Sequence, residues 1–293
     1  MYVATLVRTD GLTAGDIAAA SDALAQAGCE CGATHWIEHG VAADLLFAGS
    51  APAAVRAVLE AALPRLDIII QIEVHRRRKL ILADMDSTMI TVECIDELAD
   101  YAGIKAEVAS VTEAAMRGEL DFEAALDARV ALLRGLSATI ITRCLAERVQ
   151  LMPGARALVR TMRANGASAV LVSGGFTDFA DPVAAEIGFE RVVANRLLFA
   201  EGKLTGAVVK PIVDSGTKCR LLLAEVERIG CGIVGALAVG DGANDIPMIK
   251  AAGLGIAYHA KPKTSAAADA AVRYGDLTVL LYAQGYRRQD WSS

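Results

Sequence analysis

Two carboxylates, Asp84 and Asp86, stand within three residues of each other directly after the apolar run Leu80 to Ala83. Two more, Asp241 and Asp245, follow a second apolar run that ends at Val239. Like charges this close repel when buried, so the set demands a cation or shared protons. A few carboxylates without softer donors favour a hard divalent ion, Mg²⁺ above all, which commonly also takes a phosphate oxygen of a substrate. Its expected ligands are Asp84, Asp86 and Asp241, with Asp245 behind them. Asp84, ionised at neutral pH, can attack phosphorus and form an aspartyl phosphate, splitting one hard displacement into two. Asp86 could protonate the leaving alkoxide and then deprotonate the attacking water. That role needs a raised pKa, which neighbouring carboxylates supply. A third strand end, Ser173-Gly174-Gly175, offers a hydroxyl and the Gly174 amide to the phosphoryl oxygens. Lys218 offers a point charge, and Asn244 a donor that could orient the phosphate.

Other chemistries fail on spacing. A calcium loop of the EF-hand type would need an acid or amide at position 88 and glycine at 89, where Thr88 and Met89 stand. Gly216-Thr217-Lys218 lacks the upstream glycine and the following hydroxyl of a phosphate-binding P-loop. Leu171 stands where a nucleophile elbow needs its first glycine, and Asp245 where a dinucleotide fingerprint needs its third. Taken singly, one Asp is an ordinary helix cap, Ser173 a turn residue and Lys218 a solvated helix lysine. Three such strand ends in one chain resist that reading.

The elements that must carry these groups fall into three stretches. Residues 1–74 read as strand, helix, strand, strand, helix, strand: Tyr2 to Val7, a helix capped by Thr13, Ala33 to Glu38, Val41 to Phe47, Ala51 to Leu63, and Leu66 to Val74. This is a split βαβ order, and it holds no catalytic constellation. The basic run His75 to Lys79 reads as a solvated connector. From Glu93 to Arg148 apolar residues recur at helical spacing, which suggests an all-helical lid inserted after the first core strand. After Pro153 strands alternate with helices again: Ala155 to Ala164 helical, Ser168 to Val172 a strand, Ile233 to Val239 a strand, Ala243 to Ala252 helical, Leu254 to Ala257 a strand. That alternation implies a parallel sheet covered on both faces, whose function collects at the carboxyl ends of its strands.

Composition sets bounds. A chain of 293 residues with 54% hydrophobic side chains supports two or three modules with real cores. A formal net charge of -6 argues against a nucleic-acid binder. No apolar run approaches the roughly 20 residues that span a bilayer, so no membrane contact is expected. The first ten residues have no charged lead with an apolar core, and a cytoplasmic location is expected. The six cysteines then read as reduced thiols, and Cys29-x-Cys31 alone is too little for structural zinc.

Asp84-x-Asp86-x-Thr88, the strand-end Ser173, Lys218 and Gly240-Asp241-x-x-x-Asp245 resemble the motifs of the haloacid dehalogenase superfamily. Glu93-Cys-Ile-Asp-Glu-Leu-Ala99, Met116-Arg-Gly-Glu-Leu-Asp-Phe122 and Arg129-Val-Ala-Leu-Leu133 resemble the cap of its phosphoserine phosphatase branch. The resemblance covers about residues 79 to 285, and residues 1–74 are similar to ACT domains. It implies a Rossmann-like α/β core (79–93 and 149–293) with a helical cap (94–148), behind an α+β regulatory or dimerising module. It further implies Mg²⁺-dependent hydrolysis of O-phospho-L-serine to L-serine and phosphate, the closing step of serine biosynthesis. Glu93 would meet the substrate ammonium and Arg129 its carboxylate, for which a planar guanidinium fork suits. Met116 and Phe122 would wall the pocket. An amino-acid effector near Asp10-Gly11 and a homodimer through residues 1–74 are expectations of the same kind. Two readings stay open beside it: transfer of the phosphoryl group to another alcohol such as homoserine, and a non-catalytic amino-acid sensor.

Overall fold

The computed structural model of the chain describes residues 1–116 and 119–292, the side chain of Met116 excepted. The leading unit runs β1 (Tyr2–Val7), α1 (Ala14–Gln26), β2 (Glu30–Glu38), β3 (Ala42–Ala48), α2 (Pro52–Ala62) and β4 (Asp67–Ile72). Its four strands form an antiparallel sheet in the order β2-β3-β1-β4. Thr13 caps α1 through a reciprocal capping box with Asp16, as its sequence position suggests. Strand alternation sends Ala4, Leu6, Leu45, Phe47, Ile68 and Ile70 to one face, where α1 and α2 cover them.

The opposite face is closed too and mixes apolar with polar groups: Val7, Ala42 and Ile69 join the core of the second unit, and the polar residues among them are satisfied. Asp67 accepts the amides of Arg273, Tyr274 and Gly275 at 2.7, 3.2 and 2.7 Å, and Gln71 donates to the Ala283 carbonyl at 2.7 Å. Here the run His75 to Lys79 departs from the solvated connector expected of it. Arg76 grips Asp44 with two nitrogens, at 2.7 and 3.0 Å, and donates to the carbonyls of Tyr282 and Ala283. Arg78 is only 4% exposed; it donates to Gln71 Oε1 at 2.6 Å and to the Val234 carbonyl. Buried polar groups on a strand face need partners, and long arginine stems can bury while their heads satisfy them.

The second unit runs β5 (Leu80–Ala83), α3 (Cys94–Tyr101), α4 (Lys105–Met116), α5 (Phe122–Leu132), α6 (Thr139–Arg148), α7 (Ala155–Ala164), β6 (Ser168–Phe176), α8 (Thr177–Ile187) and β7 (Arg191–Asn195). A hairpin follows, β8 (Leu197–Ala200) with β9 (Lys203–Val208). Then come α9 (Ser215–Ile229), β10 (Ala236–Gly240), α10 (Ile246–Ala251), β11 (Leu254–Tyr258), α11 (Pro262–Ala267), β12 (Ala270–Val272) and α12 (Val279–Ala283). Six of these strands form a parallel sheet in the order β12-β11-β10-β5-β6-β7. Its central strands are apolar throughout because both faces are covered: Ile81, Ala83, Leu171 and Val239 point to one cluster, Leu80, Leu82, Val172 and Ala238 to another.

Three differences from the sequence reading have local causes. The expected strand from Ile233 begins only at Ala236, because Gly232, at a φ of 65°, starts a 3₁₀ turn over Ile233–Gly235. Leu66 to Val74 ends as a strand at Ile72 and turns over Glu73–His75. The helix expected from Ala243 opens with a 3₁₀ turn and becomes α-helical at Ile246, with Pro247 in the first turn. Among the described residues no helix is long and apolar enough to cross a membrane.

Candidate active site

Register brings the chemistry together. Ala83 lies level with Val239 on one side and Leu171 on the other, so Asp84 and Asp241 leave the sheet at the same carboxyl end at which Ser173, within the later part of β6, is placed. Lys218, one turn into α9, is fully buried beneath them and donates to Asp84 Oδ1 at 2.6 Å and to Asp245 Oδ1 at 2.7 Å. Asp245 also accepts the Gly242 amide at 3.0 Å, and Thr88, fully buried, donates to Asp241 at 3.1 Å. Carboxylate oxygens of Asp84, Asp241 and Asp245 lie within 4.8 Å of one another, a group able to hold a metal ion.

That group has a different membership from the one expected, with Asp245 where Asp86 was placed. The reason is a tight turn: the amides of Thr88, Met89 and Ile90 all fold back onto the Met85 carbonyl, and Ser87 takes a left-handed φ of 56°. The Asp86 carboxylate is thereby turned to the start of α3, where it accepts the Cys94 amide at 3.4 Å. It still faces the cleft. A Cβ built on Gly175 would stand 2.9 Å from Asp86 Oδ2 and 3.0 Å from Ser173 Oγ, so a side chain there would displace both groups. Ser173 Oγ accepts the Gly175 amide at 2.8 Å, which leaves its proton to donate elsewhere.

The electrostatics record a shortage of positive charge. Burial, then the charge of Asp245, push the Asp84 carboxyl well above the ordinary range, against the pull of Lys218. Burial, then Glu93, raise Asp86 to about 7; burial, then Asp245 and Glu93, raise Asp241 to about 6. Burial would lower the Lys218 ammonium, but Asp84 and Asp245 reverse this and hold it above its usual value. One lysine thus serves four acids. All-oxygen donors and uncompensated negative charge fit a hard divalent cation.

The cap closes over this edge. A cavity of about 340 Å³ is walled by Thr112, Ala115 and Leu120, by Phe122, Ala125 and Arg129 of α5, and by Ala243 of the core loop. Phe122 reaches down to Gly174, its Cζ 3.3 Å from where a Cβ would stand. Arg129 is half-buried; burial depresses its guanidinium, and Asp96, Glu93 and Asp86 oppose that. Glu93 is exposed at the start of α3 and accepts the Ser87 hydroxyl at 2.7 Å. Asn244 is half-buried in the turn that carries Asp245. The expectation for the Met116 side chain lies outside the described residues.

Sequence reasoning missed Asn195. Buried at the end of β7, it donates to the Gly174 carbonyl at 2.8 Å and accepts the Val213 amide at 2.7 Å, joining the Ser173 turn to the loop that leads into α9. An amide side chain closing an apolar strand was the available signal. Lys210, also missed, bridges from the loop after β9 to Glu123 and Asp127 of α5 at 2.7 and 2.8 Å, tying core to cap.

The sequence profile of the haloacid dehalogenase-like hydrolase family matches residues 81–250, more than half of the chain. The chain is similar to the phosphoserine phosphatase of Streptomyces coelicolor, 46% identical over 233 residues that make up 79% of this chain and 57% of that protein. It spans little more than half the length of the first curated relatives it matches. Among solved structures it is similar to a probable phosphoserine phosphatase from Vibrio cholerae, with a TM-score of 0.78 and 36% identity, covering 99% of this chain and 89% of that one. A phospho-aspartyl intermediate analogue of phosphoserine phosphatase matches with a TM-score of 0.65 and 37% identity, over 70% of this chain and 98% of that one.

Proposed function

The chain belongs to the haloacid dehalogenase-like hydrolase family, and from that premise we propose that it hydrolyses O-phosphoserine to serine and phosphate with Mg²⁺ as cofactor. The observation that carries this reading is the small cap cavity: a guanidinium in its wall, able to fork onto a carboxylate, above a buried carboxylate cluster suited to phosphoryl transfer. The relatives' names support the same substrate.

In the first half-reaction Asp84 attacks phosphorus, the bond to the serine oxygen breaks, and that oxygen takes a proton from Asp86. In the second, water loses a proton to Asp86 and attacks the aspartyl phosphate, returning the Asp84 carboxylate and free phosphate. A carboxyl near neutrality is suited to give and take that proton. Ser173 and the Gly174 amide hold phosphoryl oxygens, Lys218 keeps Asp84 ionised and aimed, and Asn244 orients the phosphate. Arg129 grips the substrate carboxylate, Glu93 its ammonium, and Phe122 excludes water. Asp84 and Asp241 would hold the magnesium, with Asp245 beside them and Asp86 nearby. When bound, the metal supplies positive charge to the carboxylates and to the transferring phosphoryl group.

The test is a phosphomonoester panel with Mg²⁺, scored for phosphate release by the wild type and by Asp84→Asn. Expected are a preference for phosphoserine, loss of turnover with chelator and its return with Mg²⁺, and loss in the variant, since an amide is no nucleophile. Turnover that depends on an added acceptor alcohol, or near-normal rates in Asp84→Asn, would overturn the reading.

A further inference from the structure

A cavity larger than the cap pocket lies elsewhere in the molecule. About 1000 Å³ lies open in the seam between the leading unit and the sheet edge at β11 and β12. Arg78 and Val234 in its wall sit just before β5 and β10, at the opposite end of the strands from Asp84 and Asp241. The seam therefore shares no residue with the catalytic cluster.

Its wall is amphipathic, and its charges do not balance. Pro52 and Ile72 from one unit, and Val234, Leu254 and Pro262 from the other, give it apolar surface. Three arginines, 56, 78 and 273, face two carboxylates, Glu60 and Asp269. Glu60 is taken by Arg56 at 2.7 Å and Arg273 at 3.1 Å. Asp269 accepts the Gly255 amide at 2.8 Å. Arg78 makes no contact ion pair: among the described residues no carboxylate lies within ion-pair distance of it, Asp269 acts on it only from farther off, and its Nε has no hydrogen-bond partner. A guanidinium that is almost fully buried with no counterion in contact is costly, by several kcal/mol for an ion wholly removed from water. One surplus positive charge in an apolar cleft matches one negative charge on an apolar body. A phosphomonoester dianion would over-neutralise it.

We propose that this seam is a binding site for a small organic monoanion, a carboxylate on an apolar body, distinct from the cap pocket. Because the wall comes from both units, an occupant bridges them and stabilises their contact.

Phenylacetate is the probe and neutral phenylacetamide its control, titrated into the full chain by calorimetry with thermal unfolding in parallel. Three variants separate the sites. Ala57→Phe fills the seam from the exposed side of α2 without touching charge, Arg78→Gln removes the surplus charge, and Arg129→Ala alters the cap pocket alone. The expected result is saturable 1:1 binding of phenylacetate with a raised unfolding midpoint. Affinity should be at least about tenfold weaker for the amide and in Ala57→Phe and Arg78→Gln, and unchanged in Arg129→Ala. Should Arg78→Gln fail to fold, Ala57→Phe decides alone. The proposal is overturned by the absence of saturation at ~20 mM, where even a millimolar site would fill. Equal binding of acid and amide, or binding that survives Ala57→Phe but is lost in Arg129→Ala, would overturn it too. None of these readouts depends on turnover, so they stand apart from the phosphatase assay.

Discussion

Replacing Lys218 with methionine removes the cation that the buried acids share while keeping most of the volume of its stem. The wild-type ammonium is wholly buried, with Asp84 at 2.6 Å and Asp245 at 2.7 Å. Two charge-assisted hydrogen bonds contribute about 1.5–3 kcal/mol each, so about 3–6 kcal/mol is lost. Against that, the variant no longer carries the desolvation cost of the ammonium, and one of the stranded acids can protonate. These opposing effects leave a net destabilisation of about 2–4 kcal/mol, or roughly 3–7 °C in unfolding midpoint for a protein of this size. Turnover should fall further than stability. Asp84 loses both its orienting partner and the charge that keeps it ionised, and removal of one well-placed charge-stabilising donor costs about a hundred- to thousandfold. The assay is phosphate release at saturating phosphoserine and Mg²⁺, at a temperature where circular dichroism shows the variant folded, beside its thermal melt. Turnover within about threefold of wild type would refute the view that Lys218 aims the nucleophile. An unshifted melt would refute the claim that its two bonds hold the site together.

Arg129→Ala should raise KM for phosphoserine by about ten- to a hundredfold, the worth of one charged hydrogen-bonding contact, while a generic aryl phosphate loses little; equal losses on both would mean Arg129 binds no substrate carboxylate. Gly240→Ala would bring a Cβ to 2.5 Å from Asp245 Cγ, and because Lys218 and the Gly242 amide pin that carboxylate, a cost of about 1–3 kcal/mol and a lower kcat are expected; an unchanged melt and rate would show that Asp245 moves freely. Burial alone would raise the Glu60 carboxyl, but Arg273 and Arg56 hold it below its ordinary 4.5, so its contribution is present above that value and is lost as pH falls through the folded pKa. Glu60→Gln should therefore cost about 1 kcal/mol near neutrality and lose less further stability than wild type towards acid, as melts across pH would record; equal acid slopes would contradict the pairing.

The parts of the molecule legible from sequence are those set by neighbours along the chain. Asp84 and Asp241 could be placed because each directly follows a strand whose continuous apolar run marks it as buried on both faces. The Thr13 cap and the helical spacing of the insert are equally local. What escaped was set by distant partners. The fate of Arg76 and Arg78 depends on Asp44, Gln71 and the Ala283 carbonyl, which fold back from elsewhere in the chain, so a basic run looks solvated until the sheet face it serves is known. Asp86 was legible as a neighbour of Asp84 but not in its direction. Sequence spacing shows that two acids are close, but the turn at Ser87 decides where the second one points.

The charge of the cleft constrains what can enter it. With Asp84, Asp86, Asp241 and Asp245 ionised against Lys218, the chain alone presents a strongly negative floor, and three of those acids are shifted upward, by burial first and by neighbouring carboxylates second. A phosphomonoester dianion approaching such a floor is repelled, and in a low-dielectric cleft salt screens that repulsion far less than at the surface. Under the proposed reading, Arg129 in the cap wall would answer one charge of the ligand, its carboxylate, and leave the phosphate unanswered. The positive charge that admits the phosphate must then come from protons or from a cation that the chain does not itself supply. Phosphoserine titrated calorimetrically into chelator-treated protein should give no saturable heat, and a tight complex there would show that the floor is far less negative than its side chains imply.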